Sequence, residues 1–260
     1  MRDFTLYKYG ELLAALQQAG YAFLSFEEYL TISPLPDRFV ILRHDIDKRA
    51  ERALCIAEIE KRVSAHASYY FRCVPESNKQ NVIRQIAAMG FEIGYHYEDL
   101  SLCNGDMRET VRHFGQWLAY FRRFYQVKTI CMHGSPRLKQ DNRDLWKMVD
   151  YRAYGIIGEP YFDTDFSDVV YLTDTGRRWD GYRVSVRDKI PQYQEEWTKK
   201  GWVYNSTDDI INAIKNNMLP SRIMMTTHPQ RWTANVFAWL YEALRQSAAN
   251  IIKRVLIMCK

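Results

Sequence analysis

Three features of the sequence predict one α/β domain built on a parallel sheet. Apolar runs of strand length alternate with longer segments whose apolar residues recur every three or four positions. The strand-like runs are apolar on both faces, as strands are when helices cover both sides of a sheet. No Gly/Ser-rich linker, repeat or low-complexity segment interrupts the alternation across 260 residues, a length that buries a substantial core.

Taken in order, "YGELLAALQQAGYAFLSFEEYL" reads as a helix and a short extended piece, so residues 1–38 are expected to form an N-terminal helical extension of a single domain covering 1–260. Strands are expected at "FVILRH" (39–44), "SYYFR" (68–72), "FEIGYH" (91–96), "KTICMH" (128–133), "DVVYLT" (168–173), "WVYN" (202–205) and "RIMMTTH" (222–228). Between them, "RAERALCIAEIEKRV", "NKQNVIRQIAAMG", "MRETVRHFGQWLAYFRRF", "RDLWKMVD" and "TDDIINAIKNN" carry the helical period. Glu159 to Lys200 is less regular, rich in aspartate, aromatics and Arg, and reads as long loops over one face, a place where function often sits.

Composition narrows the function classes. The net charge is +5, and Lys and Arg are scattered apart from short clusters such as Arg122–Arg123 and Lys199–Lys200, which is not the footprint of a nucleic-acid binder. No apolar stretch approaches a membrane span, and "MRDFTLYKYGELL" lacks the apolar core of a signal peptide, so a cytoplasmic location is expected. Five cysteines without a CxxC pair suit reduced thiols. Nothing here sets an oligomeric state.

Ionisable groups gather where the strands stop. The first strand runs into His44-Asp45-Ile46-Asp47, and later strands end at His96, His133 and His228. A lone histidine at a strand end is most often a hydrogen-bonded structural residue, and Asp45 and Asp47 also suit a turn and a helix N-cap before "KRAERALCIAEIEK". The joint pattern says more. The C-terminal ends of parallel strands share one rim, so these groups converge there and offer carboxylate and imidazole ligands to zinc or a similar divalent metal.

The order of motifs resembles the polysaccharide deacetylase family, the NodB-homology fold of carbohydrate esterase family 4, in a divergent branch opening with HDxD. The motifs are "HDID", "EIGYH", "CMHGSP", "GRRWDG" and "MMTTHP", spread from about Phe39 to Pro229. The resemblance implies a distorted (β/α)7-type barrel and metal-dependent removal of an N-acetyl or other acyl group from a sugar of a polysaccharide or its biosynthetic precursor. Asp45 matches the family's general base and Asp47 its metal-binding aspartate; the family has the two adjacent, so the roles are open to exchange. His96 matches the first histidine of the second motif. The second histidine falls at Leu100, which cannot ligate, and His133 takes its place, with Glu98 and Asp99 as alternatives. Arg137 stands near the family's third-motif arginine. Trp179 corresponds to a pocket wall, Asp180 or Asp174 to the partner of a catalytic group, Met225 to the apolar wall around the acyl methyl, and His228 to the general acid. A catalytically inactive glycan- or metal-binding homologue and a hydrolase of a non-sugar amide are the competing readings.

Overall fold

The computed structural model describes residues 2–134, 141–185 and 187–258. In chain order the elements are α1 (Leu6–Gln18), β1 (Ala22–Leu24), α2 (Phe26–Thr31), β2 (Phe39–Ile46), α3 (Glu51–Arg62), β3 (Ser68–Phe71), α4 (Gln80–Ala88), β4 (Glu92–Tyr97), α5 (Asp99–Leu102), α6 (Met107–Phe121), β5 (Ile130–Met132), α7 (Pro160–Asp163), β6 (Val170–Thr173), α8 (Pro191–Lys199), α9 (Thr207–Lys215), β7 (Arg222–Thr227) and α10 (Val236–Met258). Local chemistry sets several of the starts. Thr5 caps α1, and capping boxes open α2 (Ser25 with Glu28) and α9 (Ser206 with Asp209).

All strand pairs are parallel, in the order β5-β4-β3-β2-β7-β6, with β1 set beside β2. Strand β2 is central: β7 runs along one edge, while β1 and then β3 share the other. Among the described residues no strand ladder joins β5 to β6, so the barrel is open there. Only single bridges, Thr129 to Gly158 and Thr173 to Asp180, tie the flanking segments in.

Three expectations about elements need correction. "WVYN" (202–205) is coil between α8 and α9; a short apolar run without a partner strand has nothing to complete its backbone hydrogen bonds as a strand. The seventh strand is β1 instead, paired through Ala22–Phe39, Phe23–Val40 and Leu24–Ile41. "RDLWKMVD" forms a 3-10 turn, Asn142–Lys147, and the Glu159–Lys200 region holds α7, β6 and α8 as well as loops.

Alternation along the strands sorts residues into two layers. Arg43 and Asp45 point into the barrel, where Tyr70 crosses the floor and donates or accepts a hydrogen bond with Thr129 at 2.9 Å. The glycine of "EIGYH" is explained by that ring: a Cβ on Gly94 would lie 2.3 Å from Tyr70. Leu42, His44 and Met225 face outward, under the helices. No described helix is long and apolar enough to cross a membrane.

Candidate active site

The C-terminal rim of the barrel encloses a cavity of about 210 Å³ whose walls include Asp45, Asp47, His96, His133, His228 and Arg231. Five of these come from four strand ends, β2 supplying both aspartates, that the parallel register brings level. Three donor atoms, one each from Asp47, His96 and His133, lie within 4.8 Å of one another. Asp47 Oδ1 is 3.6 Å from His96 Nε2 and 3.4 Å from His133 Nε2.

A hydrogen bond on the far side of the His96 ring assigns its tautomer, and a carboxylate faces the far side of His133. His96 Nδ1 lies 2.9 Å from the Cys131 carbonyl, to which it donates, leaving the Nε2 lone pair toward the carboxylates. His133 Nδ1 faces Glu98 Oε2 at 2.9 Å, and Glu98 is held in turn by Arg72 at 2.7 Å. This is the arrangement in which a carbonyl or carboxylate orients a metal-binding imidazole. Asp47 Oδ2 accepts from Gln230 at 3.0 Å, whereas Oδ1 is buried with no hydrogen-bond partner.

That orphaned oxygen tests whether a divalent ion fits. Two donors bound to one ion at about 2.1 Å in tetrahedral geometry sit about 3.4 Å apart, close to the separations observed. The donor set suits the ion: one carboxylate oxygen and two imidazole nitrogens converge on a cavity of about 210 Å³. Burial raises the Asp47 carboxyl, but the facing His96, His133 and His228 outweigh it and hold the group well below the usual carboxylate range.

Asp45 is held differently. Arg43, two residues back on the same face of β2, donates to both carboxylate oxygens, at 2.9 Å to Oδ1 and 2.7 Å to Oδ2. Burial raises this carboxyl too, and the guanidinium, with His96, brings it below the ordinary value. His96 Nε2 lies 3.7 Å from Asp45 Oδ2; Asp45 is not in the group formed by Asp47, His96 and His133, and it forms a second group of close donor atoms with His96 and Cys131.

His228 sits across the cavity, its Nε2 3.9 Å from Asp47 Oδ2. Its Nδ1 lies 2.6 Å from Asp174 Oδ1 and its backbone N–H donates to Asp174 Oδ2 at 3.0 Å. Arg231 and Trp232 also donate to Asp174, at 2.5 and 2.7 Å. Burial and Arg231 lower the imidazole's proton affinity, yet Asp174 and Asp47 outweigh them and leave it raised.

The remaining expected site residues lie elsewhere. Asp174 is fully buried and spends its acceptors on His228, Arg231 and Trp232, so it braces His228 from behind and does not line the cavity. Trp179 is 3% exposed, off the cavity, and donates to Thr207 at 2.9 Å; Asp180 pairs with Arg178 at 2.6 Å. Met225 is buried on the outer face, because its position in β7 has the parity of Leu42. Glu98 is turned to His133 and Arg72, and Asp99 to Tyr95 and His113, away from the cavity. Leu100 is buried at 4% exposure. Arg137 lies outside the described residues.

Several cavity residues escaped the sequence reading. Asp188 accepts from Tyr161 at 3.0 Å, from Thr173 at 2.8 Å, from Thr175 at 2.5 Å and from Tyr171. Burial raises its carboxyl, but His228 and Arg43 bring it to about 2. Arg43 was legible as the i−2 neighbour of Asp45 on one strand face; Gln230, Arg231 and Trp232 follow directly on "THP".

No protein-family model matches the chain, and no curated protein matches it. Solved structures similar in fold include a CE4 family pseudoenzyme from Bacillus anthracis, BA3943, with a TM-score of 0.41 and 13% identity over 84% of this chain and 66% of that one. The chain thus spans just under two thirds of that protein. A mutant of the same pseudoenzyme with restored enzymatic activity gives 0.42 at 13% identity, over 84% and 68%. PdaA of Bacillus subtilis, a family 4 carbohydrate esterase, gives 0.40 at 10% identity, over 91% and 83%.

Proposed function

We propose that this chain is a metal-dependent N-deacylase acting on an N-acylated sugar of a polysaccharide or its precursor. The observation that carries the reading is the buried, unpartnered Asp47 Oδ1 facing two imidazole nitrogens, in one cavity with an arginine-held carboxylate and a carboxylate-backed histidine. The motif order from "HDID" to "MMTTHP" supports the sugar amide as substrate class.

Asp47, His96 and His133 would hold the ion, with zinc the metal that best suits two imidazoles and a carboxylate. Bound there, a divalent ion supplies Lewis acidity toward the acyl carbonyl and makes bound water more acidic. Asp45 takes a proton from the attacking water; Arg43 keeps its carboxylate ionised and aimed into the cavity. An amine departs poorly unless protonated, and His228 delivers that proton from Nε2 while Asp174 fixes the ring and stabilises its cationic form. Their partners distinguish Asp45 from Asp47: each Asp45 oxygen accepts one hydrogen bond from Arg43 and keeps a lone pair for a proton, whereas Asp47 Oδ1 has no hydrogen-bond partner.

The test is Asp45→Asn. The variant is expected to retain the metal content of the parent, by elemental analysis, and to lose deacetylation of N-acetylglucosamine oligosaccharides by at least about a hundredfold. Loss of metal on this substitution reverses the two aspartates. A parent that purifies without divalent metal, and takes up none on addition, defeats the reading.

A further inference from the structure

Helix α10 turns polar residues to the domain and apolar residues to water. Glu242 is fully buried and meets Arg49 at 2.7 Å, Gln246 is 5% exposed, and Asn250 donates to the Gly176 carbonyl at 2.9 Å. On the opposite side Phe237 is 83% exposed, Leu244 and Ile251 65%, Tyr241 57%, and Leu240 and Val236 49%. A surface helix of a monomer has the reverse polarity.

Phe237, Leu244 and Ile251 are seven residues apart, with Leu240 and Tyr241 between the first two: the spacing of a seam that faces another helix. Ser247 and Ala248 occupy the next turn of the stripe and leave gaps into which large side chains fit. The six large side chains together expose on the order of 800 Å², what one partner brings to a standard protein interface and more than a monomer ordinarily leaves in one patch. A helix lying on lipid sets cations beside its apolar face. From Val236 to Ile251 the helix carries one cation, Arg245, held by Glu242 at 3.0 Å, and Arg49, which lies over the Tyr241 ring at 5.8 Å, is held by Glu242 at 2.7 Å.

We propose that a second copy of this chain covers the stripe, the two α10 helices packing on each other about a two-fold axis. A two-fold contact uses the same patch on both sides, so it needs a surface complementary to itself, and a seam of large residues with a gap at Ser247 and Ala248 ahead of Ile251 meets that need. The proposal is independent of the catalytic reading, since it concerns the water-facing side of α10 and is read by mass alone.

The experiment is sedimentation velocity on the full chain over a micromolar concentration series. A dimer is expected for the parent, and a monomer for Phe237→Glu and for Leu244→Glu. The circular dichroism spectrum and melting temperature of each variant as a monomer should match those of the parent diluted to monomer. Leu244→Ala, which adds no charge, is expected to weaken the dimer at least tenfold. A parent that stays monomeric overturns the proposal, as does a dimer that survives both charge substitutions. A monomeric parent that sediments with phosphatidylserine-containing vesicles overturns it too and gives the stripe to lipid.

Discussion

His44 and Asp45 are neighbours in the chain, yet alternation along β2 sends them to opposite faces of the sheet, and the company they meet there differs in one respect. On the outer face His44 Nε2 lies 2.7 Å from Glu60 Oε1 and Nδ1 lies 2.6 Å from the Thr227 hydroxyl. Tyr9, at 2.5 Å, and Tyr69 also donate to Glu60. Every polar atom of the His44–Glu60 pair has a partner, and both residues are fully buried. On the inner face the acceptor Asp47 Oδ1 is buried without one, as is the donor Arg43 Nη1. Histidines and carboxylates occur on both faces; what separates a structural cluster from a site is acceptor capacity left over for something absent.

The largest effect that tests this contrast belongs to the outer face. Glu60→Ala strips the acceptor from two buried phenols and an imidazole at once, and is expected to cost about 3–5 kcal/mol of folding stability by urea denaturation. Metal content per folded molecule should be unchanged. A cost under about 1 kcal/mol would show that the outer cluster is not what holds His44, and the contrast would fail.

The inner face should answer in the opposite currency. His133→Ala is expected to lower affinity for zinc roughly a thousandfold while leaving the melting temperature of metal-free protein nearly unchanged. His44→Ala should do the reverse, lowering the melting temperature with little change in affinity. Competitive chelator titration of both variants checks the pair. Unchanged affinity in His133→Ala removes it from the ligand set.

The faces also show how much of the molecule was legible in its sequence. The rim was, because strand-terminal charges after apolar runs mark C-terminal ends, and His96, His133 and His228 come together there with Asp45 and Asp47. The separation of His44 from Asp45 was available from strand parity alone. Asp174 was named with Asp180 as the partner of a catalytic group, but which of the two, and that the group is His228, was not legible: Asp174 and His228 are 54 residues apart and meet because β6 pairs with β7, Thr173 opposite Thr226. Trp179 and Met225 fell on the wrong side for the same reason. A motif fixes residue type and order, whereas burial depends on which face a neighbouring element covers. "WVYN" and β1 show the matching limit for short strands, since three or four apolar residues carry no period.

A third carboxylate sharpens the comparison through pH. Glu159 is fully buried and accepts from the backbone N–H groups of Met132 at 3.0 Å and Tyr161 at 2.6 Å. Burial dominates these hydrogen bonds and the attraction of Arg43, raising its carboxyl to about 7. A carboxyl raised on folding binds protons more tightly in the native state, so its contribution is fully present below its unfolded value of about 4.5 and is lost as pH rises toward 7. Wild-type stability should therefore decline across that window by about 3 kcal/mol from this group, and Glu159→Gln should flatten the decline. Parallel slopes for the two proteins between pH 4.5 and 7 would mean that the buried amides, not burial, govern Glu159.

The smallest effect concerns the boundary between ligand and support. Glu98 is nearly buried, with Oε1 taken by Arg72 at 2.7 Å and Oε2 facing His133 Nδ1 at 2.9 Å. Burial raises its carboxyl, and His133 and Arg72 more than offset that and hold it ionised. A carboxylate behind an imidazole makes the far nitrogen a better donor, and replacing such a group usually weakens metal binding by about tenfold to a hundredfold. Glu98→Gln keeps the shape and an acceptor oxygen but removes the charge, so the lower end is expected: about a tenfold loss of zinc affinity, with small loss of stability as Arg72 gives up its ionic partner. Affinity equal to the parent would mean that His133 is oriented by its backbone contact to Tyr97 alone. A loss as deep as that of His133→Ala would make Glu98 a ligand itself, moving the free acceptor capacity of the inner face one residue beyond β4.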